Sequence, residues 1–475
     1  MSEKVITRFA PSPTGFMHVG GVRTALYAWL WARKNKGQFI LRIEDTDKER
    51  EVEGSIQHIE DSLKWLGLDW DEGPDVGGPH ASYIQSERLE IYKKYANILI
   101  EKGFAYADPY SPEEIENFRK KSEAEKKPFL FREHRPTNPP EWNGSMPLRF
   151  KVSELKRTVW DDIVWGELSA GPEALDDFIL IKSDGYPTYN FAHVVDDIEM
   201  GVTHVVRGQE FIASTPKFLS LYEALGATPP LFATTPPILG PDGKKKLSKR
   251  DGAKDILDYK KEGYLSDAMI NYLAFLGFNP GGEKEIYTRK ELIEIFDLSK
   301  IQRSGAKWSD DKLNWMNKEH MKLLPESEIE KNILERLPEE LQNPKLVPLI
   351  LERISKWGDI DEMVQRGELD FFYKEPEYSK EKLQEKLRYK NTLSEKISEN
   401  LNLAIGALME IDENNFTQEN IKNTLMSIAD SLETRGELLH PVRFALSGLD
   451  KSPDPFTIAS ILGKNETISR LQKAI

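Results

Sequence analysis

The spacing of apolar side chains divides this chain into elements before any single residue is weighed. Residues 5–10, VITRFA, place Val5, Ile6, Phe9 and Ala10 in a short run that predicts a largely buried strand. The next stretch, PSPTGFMHVGG (Pro11 to Gly21), has no periodicity and holds two prolines, three glycines and one histidine. VRTALYAWLWARKNK then reads as a helix, closed by Gly37, a residue suited to the left-handed position past a helix end. QFILRIEDTD predicts a second strand through Phe39, Leu41 and Ile43, ending in the acidic group Glu44, Asp45 and Asp47. Strand, glycine-rich loop, helix, strand is a right-handed βαβ unit. Open α/β sheets bind ligands at the carboxyl ends of their strands, where both the PSPTG…HVGG loop and the EDTD segment fall.

The α/β pattern runs to about residue 105, and its character changes from 106 to 184. There PYSPEEIENFRKKSEAEKK reads as a helix, PTNPPEWNGSMPLRFKV as turns and short strands, and TVWDDIVWGELSA as further strands, together an insertion into the sheet domain. The α/β pattern resumes through GVTHVVRGQEF and ASTPKFLSLYEALGA. Beyond Asp255 the periodicity is helical, as in YLSDAMINYLAFLGF. Segments such as LVPLILERISKW and NLNLAIGALMEI, between about 320 and 475, predict a helix bundle that by itself says nothing of function.

A chain of 475 residues exceeds one compact core, so two to four domains are expected. With 39% hydrophobic and 30% charged residues the composition is that of an ordinary soluble protein, with no apolar run near the ~18 residues that span a bilayer. No signal-peptide core precedes the first strand. The chain has no cysteine, which excludes disulfides, thiol catalysis and cysteine-ligated zinc and points to the cytoplasm. A net charge of −14 argues against a nucleic-acid partner, but basic residues gather in GKKKLSKR (Gly243 to Arg250), and it is clustering that governs binding.

Two stretches could carry chemistry. A helix N-terminus offers unpaired N–H groups and partial positive charge to a phosphate, with Gly20 and Gly21 allowing close approach and His18 donating to a phosphoryl oxygen. A tight turn with a capping histidine explains the same residues. In GPDGKKKLSKRDGA, Lys246 and Lys249 bracket Leu247 and Ser248 on a loop that could neutralise a pyrophosphate leaving group as its charge forms. Taken alone, that loop is better explained as solvated basic surface. The two stretches together, separated by one sheet's worth of chain, favour a nucleotide site.

HVGG and KLSKR resemble the two signature motifs of class I aminoacyl-tRNA synthetases, usually written HIGH and KMSKS. RFAPSPTG, RIEDTD, LKWLGLDWDEGP, YIQSERLEIY, KSDGYPTYNFAHVVDD and LAFLGF are, in order, similar to the bacterial glutamyl-tRNA synthetases. The last residue of HVGG, Gly21, departs from the superfamily tetrapeptide in the way usual for the glutamyl branch. The resemblance implies a Rossmann-like catalytic domain over 1–105 and 185–254, split by an α+β acceptor-binding insertion at 106–184. A connecting helical region over 255–320 and an all-α anticodon-binding half over 321–475 complete the expected multidomain fold. It implies ATP with Mg2+ as the substrate complex, L-glutamate and tRNA(Glu) as partners, a monomer, and no membrane.

The same resemblance implies the site residues. Thr14, His18, Gly20, Gly21, Leu247, Ser248 and Lys249 would bind ATP, with His18, Lys246 and Lys249 stabilising the transition state. Arg8, Ala10, Ser12, Glu44, Tyr189, His193 and Arg207 would bind glutamate: arginines for its carboxylates, because their forks donate paired hydrogen bonds, and Glu44 for its ammonium. Taken singly, such an arginine or glutamate is more often half of a structural ion pair. His193 stands where some relatives carry Asn, and Gln209 where many carry an acid. Arg132 and Arg135 in FREHRP could touch the tRNA acceptor end or belong to a solvated loop. Some relatives hold zinc in the insertion; with no cysteine and eight scattered histidines, none is expected here. Arg353 in LERISKW falls near a base-reading arginine of forms that charge only tRNA(Glu); other forms also charge tRNA(Gln). A catalytically inactive tRNA-binding relative is the reading of another class.

Overall fold

Residues 4–247, 254–377 and 394–475 are described by the structure, a computed structural model, which divides into two units, Met1–His320 and Met321–Ile475. In chain order the first unit begins with β1 (Ile6–Phe9), α1 (Val19–Lys34), β2 (Gln38–Leu41), α2 (Ser55–Leu66) and α3 (Leu89–Glu101). It continues with β3 (Ala105–Ala107), α4 (Pro112–Ala124), β4 (Leu148–Phe150), β5 (Thr158–Asp162), β6 (Gly166–Ala170) and β7 (Ile179–Ile181). Then come α5 (Tyr189–Glu199), β8 (His204–Gly208), α6 (Thr215–Leu225), β9 (Leu231–Thr235) and β10 (Ile238–Leu239). Helices Ile256–Lys261, Ser266–Phe275, Arg289–Ile295 and Asp310–Met321 follow.

Six strands form one sheet in the order β2-β1-β8-β9-β5-β6, parallel throughout except for the β5–β6 hairpin. From β1 the chain crosses through α1 to β2 on one side, and it returns as β8 on the other. The strand order therefore reverses between β1 and β8, and the crevice outside their carboxyl ends is where such a sheet takes a ligand. Helix α1 is apolar almost all round, with Val22, Ala25, Leu26, Tyr27 and Leu30 buried, because it lies between β1 and β8 on one side and helix Ser266–Phe275 on the other.

Two local features differ from the sequence reading. Gly37 does not take the left-handed position; Lys36 does, at φ 51°. Gly37 is needed for close approach instead, since a Cβ there would lie 2.1 Å from the Val5 carbonyl oxygen. The hairpin at 158–170, expected within the insertion, extends the main sheet. One Asp162 carboxylate oxygen accepts the N–H groups of Val164, Trp165 and Thr234, at 2.9, 3.1 and 3.2 Å, which fixes the turn and docks β5 on β9. The rest of the insertion is the three-stranded antiparallel sheet β3-β4-β7, which shares a core with α3, α5 and α6.

Every regular element described in the second unit is helical. Its main core joins Leu401, Leu408, Leu425, Leu446 and Leu471, contributed by helices Ser394–Met409, Gln418–Ala429, Gly436–Ser447 and Lys464–Lys473. Among the described residues no helix is long and apolar enough to cross a membrane.

Candidate active site

At the switch point lies a cavity of about 310 Å³. Arg8, Phe9 and Ala10 line it from the end of β1, and Val206, Arg207 and Gly208 from the end of β8. Ser12, His18, Gly20 and Gly21 contribute from the first loop and the start of α1, Glu44 from beyond β2, Tyr189 from α5, and Lys246 from the second signature.

Buried charge surrounds one end of this cavity. Arg8 Nε and Nη2 donate to the two oxygens of Asp197, at 3.2 and 3.4 Å. Arg42, fully buried, donates to Asp197 at 2.8 Å and to Glu44 Oε1 at 2.9 Å. Asp196 takes Arg88, Gln85 and the Tyr92 hydroxyl, each at 2.8 Å. Burial pushes the Asp197 carboxyl up, but Arg8 and Arg42 outweigh it and hold the group at about 2. Glu44 is raised by burial, with Arg42 and then Arg8 opposing the rise.

Arg207 has no carboxylate. Nη2 donates to Thr215 Oγ1 at 2.8 Å, while Nε and Nη1 are buried with no protein partner. Its guanidinium lies 4.3 Å from the Phe232 ring centre and 4.9 Å from that of Phe218. Burial pulls it down to about 10, so it stays charged at neutral pH. A buried guanidinium with idle donors is costly unless an anion meets it, and this one faces the cavity.

At the other end His18 is the N-cap of α1: its Nδ1 accepts the Gly20 N–H at 3.0 Å, which puts the ring proton on Nε2. A Cβ on Gly20 would come within 2.9 Å of the imidazole, so this glycine makes room for the ring itself. Arg23, one turn on, is buried and donates to the Leu276 and Pro236 carbonyls. Lys246 pairs with Glu210 at 3.1 Å, both side chains more than half exposed, a contact of small net strength. After the second signature, Asp255 forms a backbone bridge to His18, and its carboxylate accepts from His58 Nε2 at 2.7 Å. The flanks of the two signatures thus meet at one place.

Other expected site residues lie elsewhere. His193 does not line the cavity: it is buried behind Tyr189, stacked on that ring at 4.7 Å and donating from Nδ1 to the Tyr189 carbonyl. Burial pulls its imidazole down to about 3, which leaves it neutral. Thr14 is exposed outside the cavity lining, and Leu247 is packed in the core, its N–H donating to Ile238 O at 2.8 Å. Ser248 and Lys249 lie outside the described residues. Arg132 donates to the Leu175 carbonyl. Arg135 grips the fully buried Asp177 with two hydrogen bonds of 2.6 Å, so both arginines are tied into the insertion rather than extended from it. Arg135→Ala is expected to cost about 1–2 kcal/mol of stability, because buried Asp177 loses its ion-pair partner but keeps the Tyr106 hydroxyl at 2.8 Å and the Val152 N–H at 3.0 Å, read by chemical denaturation. An unchanged midpoint with weakened nucleic-acid binding would return Arg135 to an interface role. In the second unit, Arg353 ends helix Val347–Arg353, exposed beside a cavity that Arg366 and Lys451 also line.

Sequence reading passed over Asp197, Arg42, Arg23 and Glu210. Arg42 carried a signal, being a lone charge between Leu41 and Ile43 in an apolar strand, which is affordable only with a buried partner. Among the described residues no group of three or more histidines, aspartates or glutamates could hold a metal ion.

Residues 4–315 match the family of class I tRNA synthetases (E and Q), catalytic domain, and residues 313–475 match the anticodon binding domain. The chain is 44% identical over 491 residues to a glutamate–tRNA ligase of Clostridium botulinum, covering 100% of this chain and 99% of that one. Against the glutamate–tRNA ligase of Clostridium kluyveri it is 42% identical over 490 residues, covering 99% and 98%. A crystal structure of a glutamate tRNA ligase from Elizabethkingia meningosepticum, in complex with its amino acid, superposes with a TM-score of 0.87 at 36% identity and 99% coverage of both chains.

Proposed function

The chain belongs to the class I tRNA synthetases of the glutamate and glutamine branch, and we propose that it joins L-glutamate to tRNA(Glu) at the expense of ATP, as a glutamate–tRNA ligase. Unpartnered donors at the amino-acid end carry the choice of substrate. Arg8, Arg42 and Arg88 are ion-paired with Glu44, Asp196 and Asp197, whereas Arg207, within electrostatic reach of Asp197 and Asp162 but bonded to neither, keeps Nε and Nη1 without a protein partner. Glutamate brings a second carboxylate to meet such donors; glutamine does not. Glu44 takes the ammonium, and Arg207 and Arg8 take the carboxylates.

The reaction has two steps. A glutamate α-carboxylate oxygen attacks the α-phosphorus of ATP, which enters as its magnesium complex, and pyrophosphate leaves. The terminal ribose hydroxyl of tRNA then attacks the activated carbonyl, and AMP leaves. No protein nucleophile is needed, so the chain supplies positioning and charge. The first N–H groups of α1, with His18 Nε2–H, receive phosphate; Lys246 exchanges Glu210 for the developing pyrophosphate; Lys249 of KLSKR is assigned the same task. The insertion receives the acceptor end and the helical half the anticodon, with Arg353 beside its cavity as a candidate base reader. The chain works as a monomer in the cytoplasm.

The deciding experiment charges purified tRNA(Glu) and tRNA(Gln) in parallel with radiolabelled glutamate, ATP and magnesium. Charging of the first alone gives the discriminating form; charging of both gives the form whose product on tRNA(Gln) needs later amidation. Charging of neither by folded protein overturns the reading in favour of an inactive tRNA-binding relative. Arg8→Gln is expected to relax selection against glutamine about tenfold in kcat/KM, since it removes one positive charge from the subsite but leaves Arg207. Unchanged glutamate and glutamine kinetics in the folded variant would exclude Arg8 from substrate reading.

A further inference from the structure

Ile40, Arg42 and Glu44 alternate onto one face as β2 runs out past Leu41. Helix α5 brings Asp196 and Asp197 to Arg42. Arg42 is fully buried, lines no part of the cavity, and hydrogen-bonds two carboxylates, Glu44 at 2.9 Å from Nη2 and Asp197 at 2.8 Å from Nη1, while its Nε lies 3.7 Å from Asp196 without a hydrogen bond. Glu44 and, through Asp197, Arg8 are the two cavity groups it holds. The contacts of Glu44 fall on Oε1, from Arg42 and, at 3.5 Å, Gln85, which leaves Oε2 for a ligand cation. Arg8 spends Nε and Nη2 on Asp197 and keeps Nη1 for a ligand anion.

We propose that Arg42 is the positioning residue of the amino-acid subsite, fixing Glu44 to receive the substrate ammonium and, through Asp197, fixing Arg8 to receive a carboxylate. This rests on the assignment of Glu44 and Arg8 to glutamate made above. The separation of roles is physical. An arginine reaching the cavity from this strand would repel the ammonium it has to help bind; kept one layer below, it orders two groups of opposite charge without touching the substrate. Its fork matters as much as its charge, because Nη1 and Nη2 address different carboxylates and so set the angle between the Glu44 and Asp197 side chains.

A pH consequence separates this role from simple packing. Glu44 is faced by Arg42 from its own strand, Arg8 from β1, Asp197 and Tyr189 from α5, and Gln85 from the segment before α3. Burial raises the Glu44 carboxyl, and Arg42 is the largest influence opposing that rise. Removing Arg42 lets Glu44 protonate at higher pH, and a protonated carboxyl has no charge to offer an ammonium. The acid limb of kcat/KM for glutamate therefore moves upward.

The test is aminoacylation by full-length Arg42→Met and Arg42→Lys, with saturating tRNA and varied glutamate, ATP and pH. Arg42→Met is expected to lose about 100-fold in kcat/KM for glutamate, with KM for ATP within about threefold of the parent and the acid limb shifted up by about one pH unit. Arg42→Lys keeps the charge and most of the volume, so it is readable even where Arg42→Met does not fold. It recovers about half of the limb shift but, lacking the fork, keeps a glutamate KM raised about tenfold. A limb that does not move in the folded variants, or ATP and glutamate parameters that fall together in step with lost stability, overturns the proposal. Glu44→Gln, run in parallel, guards the premise. If it leaves the glutamate KM unchanged, the assignment of Glu44 is wrong; if it raises that KM while the Arg42 variants do not, the positioning role alone fails.

Discussion

Replacing Arg207 with methionine is expected to give a protein at least as stable as the parent that has lost about a thousandfold in kcat/KM for glutamate. The two halves of this result have one cause. Arg207 is 4% exposed, it has a single hydrogen bond, to Thr215, and its remaining ring-facing surface meets Phe218 and Phe232. In the unliganded protein it is a desolvated charge whose Nε and Nη1 have no protein partner. Replacement of such a charge by an apolar side chain of similar length removes a standing cost and packs against the same two rings. With substrate present the balance reverses: a carboxylate meeting the idle donors regains paired, charge-assisted hydrogen bonds in a site of low polarity, worth several kcal/mol. Thermal melts with and without glutamate read both halves. The parent should melt higher when glutamate is added; Arg207→Met should start as high or higher and gain nothing. Arg207→Lys should keep the melting behaviour of a buried charge and recover little activity, because one ammonium cannot reproduce the fork. A destabilised Arg207→Met with near-parental kinetics would mean the guanidinium is structural and its donors are met by water.

The contrast between Arg207 and its neighbours explains what could be read from sequence. Strand, loop and helix around PSPTGFMHVGG were legible because periodicity and punctuation are local: β1, α1 and β2 arise from fewer than forty consecutive residues. Gly37 was legible as a special position but not for its reason, since its constraint is Val5, a strand away. The hairpin at 158–170 was legible as strands, yet its place at the edge of the main sheet depends on Asp162 reaching Thr234, 72 residues on. The same limit hid the charge system. Arg8 meets Asp197 across 189 positions and Arg42 meets it across 155, so no spacing rule joins them. Motif resemblance did bring Arg8, Glu44, Tyr189 and Arg207 to one cavity, because it imports tertiary information. It also brought His193, which burial takes out of the cavity, and Thr14, which lies outside its lining.

His18→Ser is expected to keep the stability of the parent and to lose about 100-fold in the rate of glutamate-dependent ATP–pyrophosphate exchange, measured with tRNA present. The substitution is chosen because His18 has two roles that alanine would remove together. As N-cap of α1 it accepts the Gly20 N–H; as a ring at the mouth of the cavity it presents Nε2–H where phosphate would lie. Serine is among the best N-cap residues and restores the first role without the second, whereas alanine should also cost about 1 kcal/mol of stability. His18 is exposed, so neither change opens a hole in the core. The phosphate at this helix end gains most of its charge as the bond to the leaving group breaks, so the loss should fall on kcat, with KM for ATP changed little. The helix N–H groups remain in His18→Ser and hold the ground-state phosphate as before. If His18→Ser exchanges at the parental rate while His18→Ala does not, the histidine serves only to cap the helix, and the charge of the transition state must be met by Lys246, Lys249 and the backbone of α1 alone.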